Sequence, residues 1–435
     1  MNYKRTFSKQ GKELEINVDK VWYNTSNLQN VITKIDNGTN EFSNNSTQKI
    51  DIFSAKIDYN NSLGKNKNLA FGGKVYSINT NNDLDFKDKI GANYVLNPLR
   101  TNSFDYSENV QALYASLSQS FKKFKYSAGI RLENTQTEGF SLNTNQRNLN
   151  DYLRLFPTLY LQYDANDNHK FGFSYGRRIN RPEYWRLNPF QYYVTPFYYL
   201  TGNPFLSPAF PESSQFSYML KNKYIFNFFY NQTKRKFTNI TEQDNKIQVY
   251  RNVQLNLDNG STFGMSIILP IRIGEFLEMN NYFQVEQKTE ESTFQNVFFV
   301  RKKIVGYVRS TSSVMLSKSK NIRAEISAWY SSDAIQGIYN NEAMGDLSLS
   351  FRKPIFQNKG NLTLSFSDLF YTNVSRINVD YLDQKNGFIE RNDTRMVSLN
   401  LSLNIGKKKA TSNQIKKKSN DDEKSRITQI GRAHV

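Results

Sequence analysis

Nine side chains between residues 177 and 199 have the types and spacing for binding chemistry: Arg177, Arg178, Arg181, Tyr184, Trp185, Tyr192, Tyr193, Tyr198 and Tyr199. Guanidinium forks grip carboxylates and phosphates two bonds at a time. Tyr and Trp present a flat apolar face with a polar tip, and Arg beside such rings permits cation–π stacking. They sit in the stretch Phe171–Phe210, FGFSYGRRINRPEYWRLNPFQYYVTPFYYLTGNPFLSPAF. Its prolines (Pro182, Pro189, Pro196, Pro204, Pro208) hold the chain extended without ladder donors. Two readings are open: the cluster braces a loop across a wall, or it lines a mouth and holds a polar or anionic ligand. The Asn-, Asp- and Tyr-rich stretches 77–107 and 371–388 could join it, since such side chains suit sugars and peptides alike.

Covalent chemistry finds no foothold. Cysteine is absent, which excludes disulfides, thiolate metal sites and thiol nucleophiles. Of the two histidines, His169 sits in a short polar turn and His434 close to the end of the chain. Asp164–Asn168 imitates the start of a calcium loop, but His169 stands where Gly is needed and Tyr175 where the closing Glu belongs. Gly172–Gly176 spells G-x-S-x-G, but it lies inside the alternating run of Phe171, Phe173 and Tyr175 and not at a strand-to-helix turn, and no P-loop or H-E-x-x-H occurs. The reading is therefore not an enzyme, with no metal and no cofactor. Lys and Arg total 57 against 39 Asp and Glu, a net charge of +18, with nine of the basic residues and three of the acidic ones after residue 405. The body shows no basic stripe, zinc pattern or RNP-like motif, so no nucleic acid is expected.

The elements that must position the cluster are strands. Apolar residues recur with a period of two from end to end, as in Leu14, Ile16, Val18, in Phe226, Phe228, Tyr230 and in Leu399, Leu401, Leu403. Sixteen strands are expected, at 13–23, 48–60, 68–76, 108–120, 124–134, 151–163, 170–176, 212–220, 224–240, 248–270, 276–288, 298–316, 321–331, 344–353, 361–370 and 389–405. Short turns alternate with longer Asn-rich loops at 24–47, 77–107, 135–150, 177–211, 241–247, 289–297, 332–343 and 371–388. Aromatics make up 14% of a chain that is only 38% hydrophobic, and no run of apolar residues is long enough for a helical membrane span. An antiparallel transmembrane outer-membrane β-barrel reconciles these facts. Alternate residues then face lipid and lumen, with tight turns at one rim and long loops at the other. A large soluble β-structure such as a propeller is the alternative, but the repeat of ~40–50 residues that blades require is not seen.

The stretch from Tyr175 to Phe190, continued by Gly202-Asn203-Pro204, Leu206 and Pro208, resembles a loop of the TonB-dependent receptor superfamily, in its outer-membrane β-barrel family. Ala209 departs from the pattern, which has an acidic residue there. Tyr3–Gly11, Leu362–Thr372 and the basic tail also look family-like. The resemblance implies a barrel of about 22 strands filled by an N-terminal plug, so residues 1–405 would supply about 16 of them. Plug, TonB-contacting segment and signal peptide would then lie outside this chain; Met1–Lys9 is polar, with no apolar leader core. Residues 406–435 read as a basic, polar, solvated tail. Its last six, IGRAHV at 430–435, match ATC GGA AGA GCA CAC GTC, a sequencing-library adapter read in frame.

On this resemblance the chain is expected in the outer membrane of a Gram-negative bacterium, as the barrel portion of a receptor for a scarce solute. Its expected partners are outer-membrane lipid, an extracellular solute (siderophore, oligosaccharide or peptide) and the TonB complex, reached through the plug. The alternatives are a passive sixteen-stranded porin-like channel and a surface barrel acting as adhesin or assembly component.

Overall fold

The computed structural model describes residues 1–7, 11–35, 38–64, 66–405 and 420–427. The adapter-like hexapeptide, His434 and most of the basic tail lie outside the described residues. Strands β1 (Asn2–Thr6), β2 (Glu13–Ile35), β3 (Gly38–Ser62) and β4 (Lys67–Ile90) open the chain, and β5 (Asn93–Leu96) folds back on the end of β4. The meander continues through β6 (Asn102–Phe121), β7 (Phe124–Ser141), β8 (Gln146–Asp164) and β9 (His169–Arg177). An inward excursion then carries the one-turn helix α1 (Tyr184–Leu187) and the hairpin β10 (Gln191–Thr195) and β11 (Tyr198–Thr201). After it come β12 (Phe210–Leu220), β13 (Tyr224–Asp244), β14 (Val249–Ile273), β15 (Leu277–Phe294), β16 (Val297–Ser317) and β17 (Ile322–Ser331). The last elements are β18 (Ala334–Gln336), β19 (Tyr339–Asn341), β20 (Met344–Ile355), β21 (Gly360–Phe366), β22 (Val374–Tyr381), β23 (Gln384–Arg391), β24 (Val397–Leu403) and the short helix α2 (Asp421–Lys424).

Twenty of these strands form one sheet, and β18, β19, β22 and β23 form a second, smaller one. Neighbours along the meander are antiparallel throughout; only β11 adds in parallel, on the end of β14. Fifteen of the sixteen expected strands each meet one strand of the main sheet; the expected 389–405 divides into the end of β23 and β24, with 392–396 between them, and β1 extends the row beside β2. Among the described residues β1 and β24 do not pair with each other, so the sheet is open. No described helix is long and apolar enough to cross a membrane.

The outward face carries an unbroken apolar belt. One cross-strand row runs Leu161, Phe173, Phe216, Phe228, Met265, Val285. The row nearer the tight turns runs Tyr163, Phe171, Tyr218, Phe226, Ile267, Phe283, Val308, Tyr330, and four of its rings follow one another at 6.5, 5.1 and 5.9 Å. Such a belt beside tight turns is what a lipid-facing barrel wall requires. The opposite face is polar: Ser217 Oγ donates to Asn227 Oδ1 at 2.7 Å, and Asn227 Nδ2 donates to Ser266 Oγ at 3.2 Å. A hollow on the outward face, lined by Ile57, Val75, Leu113 and Leu132, belongs to this belt and to lipid.

Several expected loops are strands instead. β2 reaches Ile35 and β3 starts at Gly38, so most of 24–47 is a hairpin; 77–107 is largely the continuation of β4 and β6, and 371–388 holds β22 and part of β23. The reason is physical. Beyond the belt the outer face meets water, so Asn, Ser and Asp there give no apolar beat. The apolar residues change sides: on β4, Leu69, Phe71 and Val75 point out, whereas Tyr76, Ile78, Leu84 and Phe86 point in and are buried.

Candidate functional site

What those inward residues bury is the segment 178–209. Asn180 and Ala209 close its base with two backbone bonds of 2.8 and 2.9 Å. Tyr184 packs on Ile50, Ile52, Tyr76, Ile78 and Val110. Leu187, Phe190 and Leu206 pack on Leu84 and Phe104, and Tyr193 on Phe42 and Phe86. Arg186 reaches the other wall, donating through Nη1 to Asn239 Oδ1 at 3.0 Å and Gln254 Oε1 at 2.6 Å. One segment thus touches β3, β4 and β6 on one side and β13 and β14 on the other, so the sheet must curl around it.

The Gly-Asn-Pro turn locks this arrangement. Gly202 N donates to Asn188 O at 3.0 Å, Asn203 N to Arg186 O at 2.6 Å, and Asn203 Nδ2 to Gln254 O at 3.0 Å. A Cβ on Gly202 would lie 2.3 Å from Asn188 O and 2.6 Å from Arg186 O, which explains glycine here. Ala209 is buried and acts only through its backbone bridge.

The nine sequence-nominated residues separate into distinct positions. Arg181 is deep: it lies 3.6 Å from Glu108, ion-pairs with Glu133 and donates to Thr135 at 3.0 Å. Tyr184 and Tyr193 are buried, and burial pushes both phenols up. Tyr193 also lies under the Arg100 guanidinium at 4.8 Å and against Tyr199 at 5.2 Å. Trp185 Nε1 donates to Glu183 at 2.6 Å, with Arg186 4.9 Å above its ring. Tyr198 and Tyr199 are half-buried on β11, opposite Tyr250 and Arg251 of β14. Tyr192 is half-buried, and burial pushes its phenol up as well. Arg177 pairs with Glu212 at 3.5 Å. Arg177 and the exposed Arg178 line a lumenal chamber of about 850 Å³, together with Lys74, Tyr114, Arg131 and Glu133.

The tail was expected to be solvated, yet Asn420–Ile427 docks in this lumen. Arg426 forks onto Glu108 at 2.7 and 3.1 Å, donates to Pro182 O at 3.0 Å and lies 4.4 Å over Tyr184. Lys74 Nζ donates to Glu423 at 2.7 Å. Buried charge demands counter-charge, and the tail supplies it. Glu108, Glu133 and Lys74 escaped the sequence reading. Their signal was charge at inward positions of strands whose outward partners are apolar. Among the described residues no acidic or histidine cluster could hold a metal ion.

A lipid belt, a polar lumen and a segment folded inward between the walls define an outer-membrane β-barrel wall. The chain belongs to the outer membrane protein beta-barrel family, whose model matches residues 5–404. Solved structures that share the fold include three transport proteins. The ferripyoverdine receptor of the Pseudomonas aeruginosa outer membrane superposes with a TM-score of 0.57 at 12% identity, over 86% of this chain and 52% of its own. The ferric yersiniabactin uptake receptor FyuA of Yersinia pestis gives 0.54 at 12%, over 90% and 61%. The copper transporter OprC gives 0.60 at 8%, over 92% and 67%. The chain thus spans about half the length of the first of these. No curated protein matches the sequence.

Proposed function

We propose that this chain is the barrel portion of a TonB-dependent outer-membrane receptor that takes up a scarce extracellular solute. The observation that carries the reading is the segment 178–209, folded into the curl of the sheet and bonded to both walls above a polar chamber. A wall built this way selects and holds a solute instead of leaving an open bore. Similar folds named for ferric-siderophore and copper uptake support the same reading. Binding followed by a gated change of conformation is the mechanism, with energy arriving from the inner membrane through a plug that fills the remaining lumen.

The test is solute uptake by the parent organism with and without the gene. Uptake should be saturable, abolished by a protonophore and removed by disruption of the gene. Uptake that rises linearly with concentration and ignores the protonophore would identify a passive pore instead.

A further inference from the structure

We infer that a second, uncharged chamber at the mouth is a sugar-binding subsite; this rests on the uptake reading and names its solute class as a neutral oligosaccharide. The chamber, about 200 Å³, lies between the inner faces of β2 and β3 and the inward segment. Thr25, Asn27 and Gln48 form its strand wall, and Asn188, Phe190 and Tyr192 its opposite side. No Asp, Glu, Lys or Arg lines it, in contrast to the charged chamber below.

The polar groups there are positioned but not consumed. Gln48 Nε2 donates to Asn82 Oδ1 at 2.8 Å, and Asn82 Nδ2 is itself fixed to Phe104 O at 3.1 Å, so the Gln48 Oε1 acceptor is held in place and left over. Asn188 is 2% exposed; its Oδ1 accepts from Phe190 N at 3.1 Å, which leaves the Nδ2 donor available. Among the described residues the Thr25 hydroxyl, the Asn27 amide and the Tyr192 hydroxyl have no hydrogen-bond partner. Amides and hydroxyls together offer donors and acceptors in equal measure. A sugar matches that set, because each hydroxyl both donates and accepts and the ring's C–H face lies on an aromatic one. A siderophore with ionised groups or a short peptide with charged ends brings formal charge, which this lining leaves unpaired.

The test uses the full 435-residue chain, folded in detergent and shown to be folded by heat-dependent gel mobility. It is probed on an array of neutral gluco-, manno- and galacto-oligosaccharides, alongside ferrioxamine and a hexapeptide. The expected result is binding to a subset of the oligosaccharides. Asn27→Leu and Tyr192→Phe should each weaken it by about tenfold, while Asn79→Ala, on the outer face of β4, leaves it unchanged. Folded chain that binds no oligosaccharide overturns the sugar assignment, and ferrioxamine or hexapeptide binding in that case leaves the uptake reading standing. Oligosaccharide binding indifferent to Asn27→Leu and Tyr192→Phe overturns the chamber's role. Chain that shows no heat-dependent mobility brings down the uptake reading as well.

Discussion

Arg181 stands between Glu108 and Glu133, each 1% exposed, and shares the work of countering them with Arg426 on Glu108 and Arg131 on Glu133. Removing one member of a buried ionic set leaves the others uncompensated, at about 3–5 kcal/mol. Arg181→Ala should therefore lower the unfolding free energy of the folded, detergent-bound chain, read by urea titration, by up to about 3 kcal/mol, since Arg426 and Arg131 remain on the two carboxylates, with Arg181→Lys restoring part. The sequence singled out Arg181 but not its partners, because they lie on β6 and β7, dozens of residues away. Gly202 makes the complementary case. Its neighbours are backbone carbonyls of Trp185, Arg186 and Asn188, which cannot rotate aside. Gly202→Ala should push the two halves of the segment apart, break the Gly202–Asn188 hydrogen bond and expose the peptide bonds of residues 188–203 to proteolysis, whereas the outer-face Asn79→Ala should not.

Strand by strand, the lipid-facing half was readable because period two survives wherever one side meets lipid. The extramembrane halves were not, since on β3, β4 and β6 the apolar side switches from outward to inward above the belt. The switch keeps the period and loses the phase, so stretches such as 77–90 passed for loops. Belt orientation predicts an asymmetry on β15: Val285→Arg, facing lipid, should cost about 2–4 kcal/mol of folding stability, while Gln284→Arg, facing the lumen, should cost less than about 1 kcal/mol. Guanidinium unfolding in lipid vesicles measures both. Higher on the same strand, Glu290 binds Lys236 at 2.5 Å, Lys288 at 3.4 Å and the Gly337 amide. Burial alone would raise its carboxyl, but the two lysines outweigh that and hold it below the usual carboxylate range. Stability from a depressed carboxyl is complete above its ordinary value of about 4 and disappears as pH falls through the lower folded value. Amide protection of Ala334–Gln336 should accordingly hold from pH 7 to about 5 and decline below about 4, and Glu290→Gln should abolish that dependence.

Seen whole, the molecule resolves its own composition: 14% aromatics in a polar chain serve a wall with lipid on one side and a wet, ligand-sized interior on the other. The +18 charge is partly spent inside, where the tail's Arg426 and Glu423 meet Glu108 and Lys74. The central claim is that alternate residues of the same strand face two solvents. Because the chain has no cysteine, single substitutions report on it without background. Asn227→Cys and Phe228→Cys, adjacent on β13, should be compared in lipid vesicles with a membrane-impermeant maleimide after permeabilising the vesicles to the reagent. Labelling should be rapid at 227, with protection at 228 that only unfolding in hot SDS removes. Equal labelling at the two positions, or protection at 227 alone, would contradict the claim.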